Sequence, residues 1–397
     1  MLSGQQQSAR RGRHATVYFF YYATLGALLP YWSLYLKHLD FNARQIGELS
    51  AVLLATKIIA PTIWAYLADH AGQRMRVTRY AVFAGICVFA LVLPVREYWT
   101  MLLVLVGFGF FWNAALPQFE ATTMNFLGKD RYQYGRVRLW GSIGFLVSVL
   151  VLALVVRDEG IRFLPWSILV ILSCIWLSML RVQDTPSVGH ATQNASFLGT
   201  CWQAPVIALL LAAFLIQMSH GDYYTFFSIY LEDLGYPRTA VGQLWMLGVV
   251  AEIGLFLLVY RLLSKFGAGR LLGMAMLLTA LRWWLIAMYA DNLPVLLLAQ
   301  LLHAASYGLF HASAICMIDE YFPGPLQSRG MALYSSVSFG LGISRGSLVS
   351  GYTWSAVGAS GVYLLAAGMA AFALLQYLWL GERGRSRHER RRPAGSR

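Results

Sequence analysis

Roughly a dozen apolar runs, each near the 20 or so residues that a helix needs to cross a bilayer, follow one another along this 397-residue chain with little sequence between them. Such spacing leaves no soluble domain to carry separate chemistry. With 58% hydrophobic, 14% aromatic and only 12% charged residues, and a mean hydropathy of +0.56, the balance is not that of a soluble globular protein. The expected fold class is an all-α polytopic membrane protein.

The net charge of +13 does not point to nucleic acid, because the basic residues are not spread over a folded surface. They gather at the termini (Arg10, Arg11 and Arg13; then Arg383, Arg385, Arg387, Arg390, Arg391, Arg392 and Arg397) and in alternate loops. This is the positive-inside pattern, and it places both termini in the cytoplasm; the C-terminal tail has a secondary reading as a contact with anionic lipid. Cys87, Cys174, Cys201 and Cys316 have no C-x-x-C spacing, which argues against a disulfide framework or a metal site. The start, MLSGQQQSARRGRH, runs into an apolar segment of full spanning length with no small-residue cleavage site, and reads as an uncleaved first helix.

Ionisable residues inside the apolar runs are the candidates for function. Each costs about 2.5–3.5 kcal/mol on insertion scales, so it is expected to face the protein interior and to be paired. Glu120 lies in WNAALPQFEATTMNFL and Arg138 follows eighteen residues later in YGRVRLWGS, after the short basic connection GKDRYQY. So short a connection makes the two helices antiparallel neighbours, and the acid and base can meet at similar depth. Lys57 lies ten or more residues from either end of its run, too deep for easy snorkelling, and needs a partner or a water-filled space. The later runs carry Asp222, Glu252, Arg282, His303, His311, Asp319 and Arg345.

The expected division is a cytoplasmic tail 1–14, a six-helix bundle 15–180, a linker 181–202 rich in Pro, Gly, Ser, Thr and Asn, a second six-helix bundle 203–380 and a basic tail 381–397. Asn194–Ser196 fits the N-glycosylation pattern, which has no meaning on the cytoplasmic side. The halves repeat. Ser33-Leu34-Tyr35-Leu36, Leu39, Ile46-Gly47 and Leu49 align with Ser228-Ile229-Tyr230-Leu231, Leu234, Val241-Gly242 and Leu244 at a constant offset of 195, and LWGSIGF from Leu139 aligns with LYSSVSF from Leu333 at 194. The same offset sets Lys57 against Glu252. Two related six-helix halves suit a transporter whose substrate site lies near the midplane between them. The glycines of the fifth and eleventh runs, among them Gly141, Gly144, Gly340, Gly342 and Gly346, read as close-packing positions.

The segment AYLADHAGQRMR resembles the signature loop of the major facilitator superfamily: Asp69, Gly72 and Arg74 match its pattern, while Ala65 and His70 replace a Gly and an Arg. YGRVRLWGS, AVGQLWMLGVVAE ending in Glu252, Arg282-Trp283, and His303 with His311 are similar to the 3-phenylpropionic acid transporter branch of the lactose-permease-like major facilitators. This resemblance covers essentially the whole chain. It implies a twelve-helix carrier in the inner membrane, in two pseudo-symmetric bundles, working by alternating access and usually by proton symport. Glu120 and Arg138 match an acid and an arginine that contact sugar in the lactose permease, and His303 and Arg282 match its histidine and arginine. Phe145 stands where the permease has its sugar-stacking Trp, and Ser306 where it has its proton-carrying Glu, so neither galactoside recognition nor that protonation site carries over.

The resulting expectation is a secondary carrier, not an enzyme, for a small aromatic carboxylate. Lys57 and Arg138, with Arg345 as a further cation, would take the carboxylate; Phe145 with Trp112 or Trp140 would take the ring; Glu120 would complete the substrate set. Glu252, Arg282, His303 and Asp222 form the proton-coupling set, with Glu252 leading: burial disfavours a carboxylate's charge and an approaching guanidinium favours it, which can tie protonation to conformation. Asp69, Gly72 and Arg74 form the gating loop. His303 and His311, eight residues apart, are about 80° apart round a helix and need not touch one ligand; no metal site and no cofactor beyond a coupling proton is expected. The alternatives are a proton symporter of a sugar or nucleoside, in which Glu120 accepts hydroxyl hydrogens, proton-antiport efflux, and a polytopic enzyme such as an acyltransferase, which the single, deep histidines disfavour. The expected partners are the substrate and the bilayer, with no nucleic acid and the chain a monomer.

Overall fold

The computed structural model describes residues 4–184 and 197–391. The Asn194–Ser196 pattern, most of the linker and the last six residues lie outside the described residues. Among those described, secondary structure is helical and no strand occurs. The helices are α1 (Gly4–His38), α2 (Ala43–Ala71), α3 (Arg74–Ala90), α4 (Tyr98–Leu127), α5 (Tyr134–Val155), α6 (Leu164–Leu180), α7 (Ala204–Asp233), α8 (Arg238–Phe266), α9 (Ala268–Tyr289) and α10 (Leu293–Tyr321). Residues 327–391 then form α11 and α12 on either side of Gly358, where φ is 70° and ψ 174°, so that α12 runs to Arg391, inside the segment expected to be a basic tail. Among the described residues the expected twelve runs are therefore twelve long helices, with one further short α-helix at Phe197–Cys201. The first begins at Gly4, inside the segment read as a tail.

Contacts divide the chain into two compact units, Met1–His190 with Tyr224–Met246, and Ala191–Tyr223 with Leu247–Arg397. In the first, α1 and α5 form the central crossing, and glycine makes it possible. A Cβ on Gly144 would fall on the backbone of Phe19, and one on Gly26 would reach the backbone of Phe145 and, at 3.1 Å, the side chain of Ser148. Small residues let helix backbones approach this closely in a membrane, where apolar burial gives no preference for protein over lipid. Gly221, which the 195-residue repeat sets opposite Gly26, makes the same kind of approach in the second unit, to Gly346 at 2.5 Å. The repeat seen in the letters is thus a repeat of close crossings.

Helix ends are tied down by named groups. Glu97 accepts from the amides of Trp99 (3.1 Å) and Thr100 (2.9 Å) and from the Thr100 hydroxyl (2.7 Å), starting α4; those bonds, the hydroxyl's first, hold its carboxyl below the usual range. At the far end of α1, Lys37 meets Glu232 at 3.0 Å and Asp233 at 2.6 Å, Arg238 meets Glu232 at 2.8 Å, and Arg238 also donates to the Val156 carbonyl at 3.0 Å.

Several spans are not continuous α-helix. α2 narrows to a 3-10 turn at Thr56–Ile58, α4 breaks at Asn113–Ala114, α7 breaks at His220, and α10 and α11 widen to π-helix at Ala304–Leu309 and Ser336–Gly342. Irregular backbone at membrane depth is tolerated where protein groups satisfy it. At the first two breaks one side chain does so: Asn113 donates to the Thr56 hydroxyl at 2.8 Å and reaches the Leu53 carbonyl at 3.5 Å, while Thr56 itself donates to that carbonyl at 2.8 Å.

Gly144→Leu is expected to destabilise the protein by about 1–3 kcal/mol or more through overpacking of the α1–α5 crossing, read as a lowered melting temperature in detergent. Gly135→Ala on the same helix, with nothing within 4 Å of its added Cβ, is expected to leave that temperature unchanged or slightly raised.

Candidate functional site

In the first unit the chemistry gathers where α1, α4 and α5 meet. Tyr18, Tyr21 and Tyr22 share one face of α1, at the i, i+3, i+4 spacing that brings side chains together. The Arg138 guanidinium lies 3.7 Å from the Tyr22 ring centroid and 5.8 Å from that of Tyr18, and donates to the Tyr22 hydroxyl. Glu120, projecting from α4, accepts from the Tyr134 hydroxyl at 3.1 Å. The expected direct pair does not form: among the described residues no carboxylate lies within 4.0 Å of Arg138. Tyr134 precedes Arg138 by one turn of α5 and takes the place beside the carboxylate that the arginine was expected to fill. Acid and base therefore share one polar cluster at longer range, joined through tyrosines.

Of the three expected ring partners, Trp112 is buried and stacks on Tyr21 with centroids 4.4 Å apart and planes 3° from parallel. Phe145 is buried at the α1–α5 crossing, whereas Trp140 is 49% exposed. Lys57 stands on the 3-10 turn of α2, half-buried, and no carboxylate or hydrogen-bond acceptor meets its ammonium among the described residues. The turn changes the direction of the side chains that follow Thr56, and the bonds from Asn113 hold it.

The second unit has a more titratable cluster. Arg282 is fully buried on α9, sandwiched against the rings of Tyr223 (4.3 Å) and Trp283 (4.4 Å). It donates to the Ala299 carbonyl at 3.0 Å, to the Ser306 hydroxyl at 3.0 Å and, more weakly, to Gln300 at 3.5 Å. Ser306, which replaces the glutamate of the lactose permease, thus serves as an acceptor for the arginine. His303 places Nε2 3.7 Å from the Glu252 carboxylate, while its buried Nδ1 meets no partner. Asp222 is buried in the first turn after the break of α7, its carboxylate oxygens without a hydrogen-bond donor at ordinary geometry; a helix start is a favourable place for a negative charge. Arg345 is exposed on α11 and makes no ion pair among the described residues.

His303 and His311 prove to be connected. His303 stacks on Tyr307 (5.6 Å, 10°), Tyr307 on His311 (6.0 Å, 21°), and His311 Nδ1 lies 3.0 Å from the Tyr334 hydroxyl. Each step of this column is four residues, the spacing that makes helix side chains neighbours, so Tyr307 bridges two histidines that do not themselves need to touch. Asn113 and Gln300 were not singled out in the sequence. The readable signal was the Tyr18/Tyr21/Tyr22 face of α1 and the placement of Tyr134 four before Arg138.

The loop between α2 and α3 closes as its motif requires. Gly72 ends α2 in the left-handed region at φ 62°, and Asp69 meets Arg74 at 2.7 Å across the turn. Asp184, from the far side of α6, accepts from the Met75 amide at 3.1 Å and the Arg76 amide at 3.4 Å, adding a carboxylate at the start of α3.

The MFS_1 like family model matches residues 13–365. A probable 3-phenylpropionic acid transporter of Escherichia coli (strain K12) is 29% identical over 346 residues, 86% of this chain and 90% of that protein. The maltose permease of Geobacillus stearothermophilus is 24% identical over 388 residues, 96% of this chain and 97% of that one. Among solved structures, the nucleoside transporter NupG superposes with a TM-score of 0.77 at 16% identity, covering 94% of this chain and 98% of that one, which speaks for the fold.

Arg282→Met is expected to destabilise the second unit by about 3 kcal/mol or more, because buried acceptors lose their donor. Ser306→Ala, which removes one of those acceptors, should cost about 1–2 kcal/mol. Thermal unfolding of the purified variants measures both.

Proposed function

This chain belongs to the MFS_1 like family, and on that premise we propose that it is a secondary active transporter that carries a small aromatic carboxylate with protons by alternating access. The single observation that carries the reading is the Arg138 guanidinium, set among tyrosine rings with no carboxylate within 4.0 Å among the described residues. A half-buried charge at membrane depth without a close counter-ion is expensive to keep, and a substrate carboxylate supplies the missing partner. The neighbouring Tyr21–Trp112 stack offers an aromatic face for the ring of such a substrate. Lys57 is a second cation for the same carboxylate. The E. coli relative named for 3-phenylpropionic acid supports this substrate class.

Proton coupling is assigned to Glu252 and His303, which lie close enough to share a proton when the pair rearranges. Arg282 and Asp222 set the field around them. Nothing in this scheme transforms the substrate chemically, so the protein is read as a carrier and not an enzyme, acting as a monomer in the inner membrane.

A second reading is a proton symporter of a nucleoside or sugar. It is favoured by Glu120, a carboxylate able to accept hydroxyl hydrogens, and by the likeness to NupG and the maltose permease. Counterflow of labelled 3-phenylpropionate against a nucleoside and a maltoside in proteoliposomes separates the two readings. Under the first, Arg138→Gln lowers phenylpropionate counterflow by a hundredfold or more, roughly the 3–5 kcal/mol that a broken buried pair costs. Glu252→Gln should abolish accumulation driven by a pH gradient while sparing counterflow; gradient-driven uptake intact in that variant removes Glu252 from the role.

A further inference from the structure

Away from both clusters, a cavity of about 110 Å³ opens at the end of the first unit where α1 begins and α6 ends. Arg10, Arg13 and His14 from α1 and Arg181 from the end of α6 line it, over an apolar floor of Phe126 and Val182. From its geometry we infer that it is an anion site for a phosphate group.

Three chain-distant segments converge here, and their charges are not balanced. Among the described residues none of Arg10, Arg13 and Arg181 has a carboxylate within 4.0 Å. The adjacent Arg11 is already paired with Asp130 at 2.9 Å. The one acid in the lining, Asp184, is committed to the amides of Met75 and Arg76. Flanking charges that only orient a membrane protein need to be on the correct side; they have no reason to point into a common hollow, where like charges repel.

The walls are also fixed in place. Arg13 donates to the Arg181 carbonyl at 3.2 Å, and Arg79 holds the same segment through the carbonyls of Met179 (3.1 Å) and Val182. His14 is clamped by the Thr123 hydroxyl at 2.9 Å and stacks on Phe126 (4.6 Å) and Phe119 (5.4 Å), which leaves its second ring nitrogen for a ligand. Burial holds this imidazole down to about 4, so the site's charge comes from the guanidiniums, whose planar forks suit phosphate oxygens.

Size narrows the ligand. At about 110 Å³ the cavity has room for one phosphate group but is far below the roughly 300 Å³ or more of a site that encloses a drug-sized molecule. The occupant is therefore not the transported aromatic acid. It is either the headgroup of an anionic phospholipid reaching in from the bilayer, or free phosphate.

The test uses the full chain, purified in detergent and in nanodiscs, with melting temperature as the readout. Inorganic phosphate is titrated in detergent; nanodiscs of phosphatidylcholine alone are compared with nanodiscs containing phosphatidylglycerol. A rise with phosphatidylglycerol alone assigns a lipid headgroup, and a rise with phosphate assigns a soluble anion. In the Arg13→Gln/Arg181→Gln double variant the apparent affinity should fall about thirtyfold, two charges at about 1 kcal/mol each, and Lys at both positions should restore most of it. If the double variant is not monodisperse, Arg10→Gln alone should weaken binding about fivefold. No stabilisation of the wild type by either probe, or equal stabilisation of the Gln variants, overturns the proposal.

Discussion

Two guanidiniums laid against aromatic rings organise most of what surrounds them. A charge that has left water needs an electrostatic substitute for its hydration shell, and the face of a desolvated tyrosine or tryptophan supplies about 2 kcal/mol of it. Arg138 finds that substitute on α1, which obliges α1 and α5 to approach until only glycine fits between them at Gly144 and Gly26. Arg282 finds it on Tyr223 and Trp283, and its remaining donors reach across to α10 through Ala299 and Ser306. The helix crossings and the polar clusters are thus two aspects of one requirement.

The coarse architecture was legible because its cause is coarse. Hydrocarbon thickness sets run length, and loop arginines record sidedness. The turn at Asp69, Gly72 and Arg74 was readable for a different reason, since a left-handed residue and an ion pair five positions apart leave a local trace. The interruptions of α2, α4 and α7 were not legible. Whether Leu53 bonds down its own helix or to Asn113 is decided by a residue sixty positions away, and hydropathy is blind to that choice. Rotation of a helix about its own axis was equally hidden. Trp112 and Trp140 are alike as letters, yet one is buried against Tyr21 and the other half exposed.

The repeat is informative where it fails. Gly26 and Gly221 keep the same role at an offset of 195, but Lys57 stands on a broken turn of α2 while its counterpart Glu252 stands on α8, whose helix runs unbroken from Arg238 to Phe266. The first unit has filled its polar cluster with tyrosines and an arginine, groups that keep one protonation state across ordinary pH, around a single carboxylate, Glu120. The second has collected histidines and carboxylates, which change theirs.

The π-helical stretch of α10 has an implication for how this chain can change. A widened turn is what remains when a helix absorbs one inserted residue without displacing the rest. Loss of a single codon between Ala304 and Leu309 would let the helix relax to regular winding and leave everything after it in place. His303 and His311 would then stand seven residues apart, two regular turns, but Tyr307 could no longer lie four residues from each of them, while the hydropathy of the span would hardly alter. Genomic drift by indel at this point would therefore be silent to insertion into the bilayer and felt only in the stacked column of His303, Tyr307 and His311.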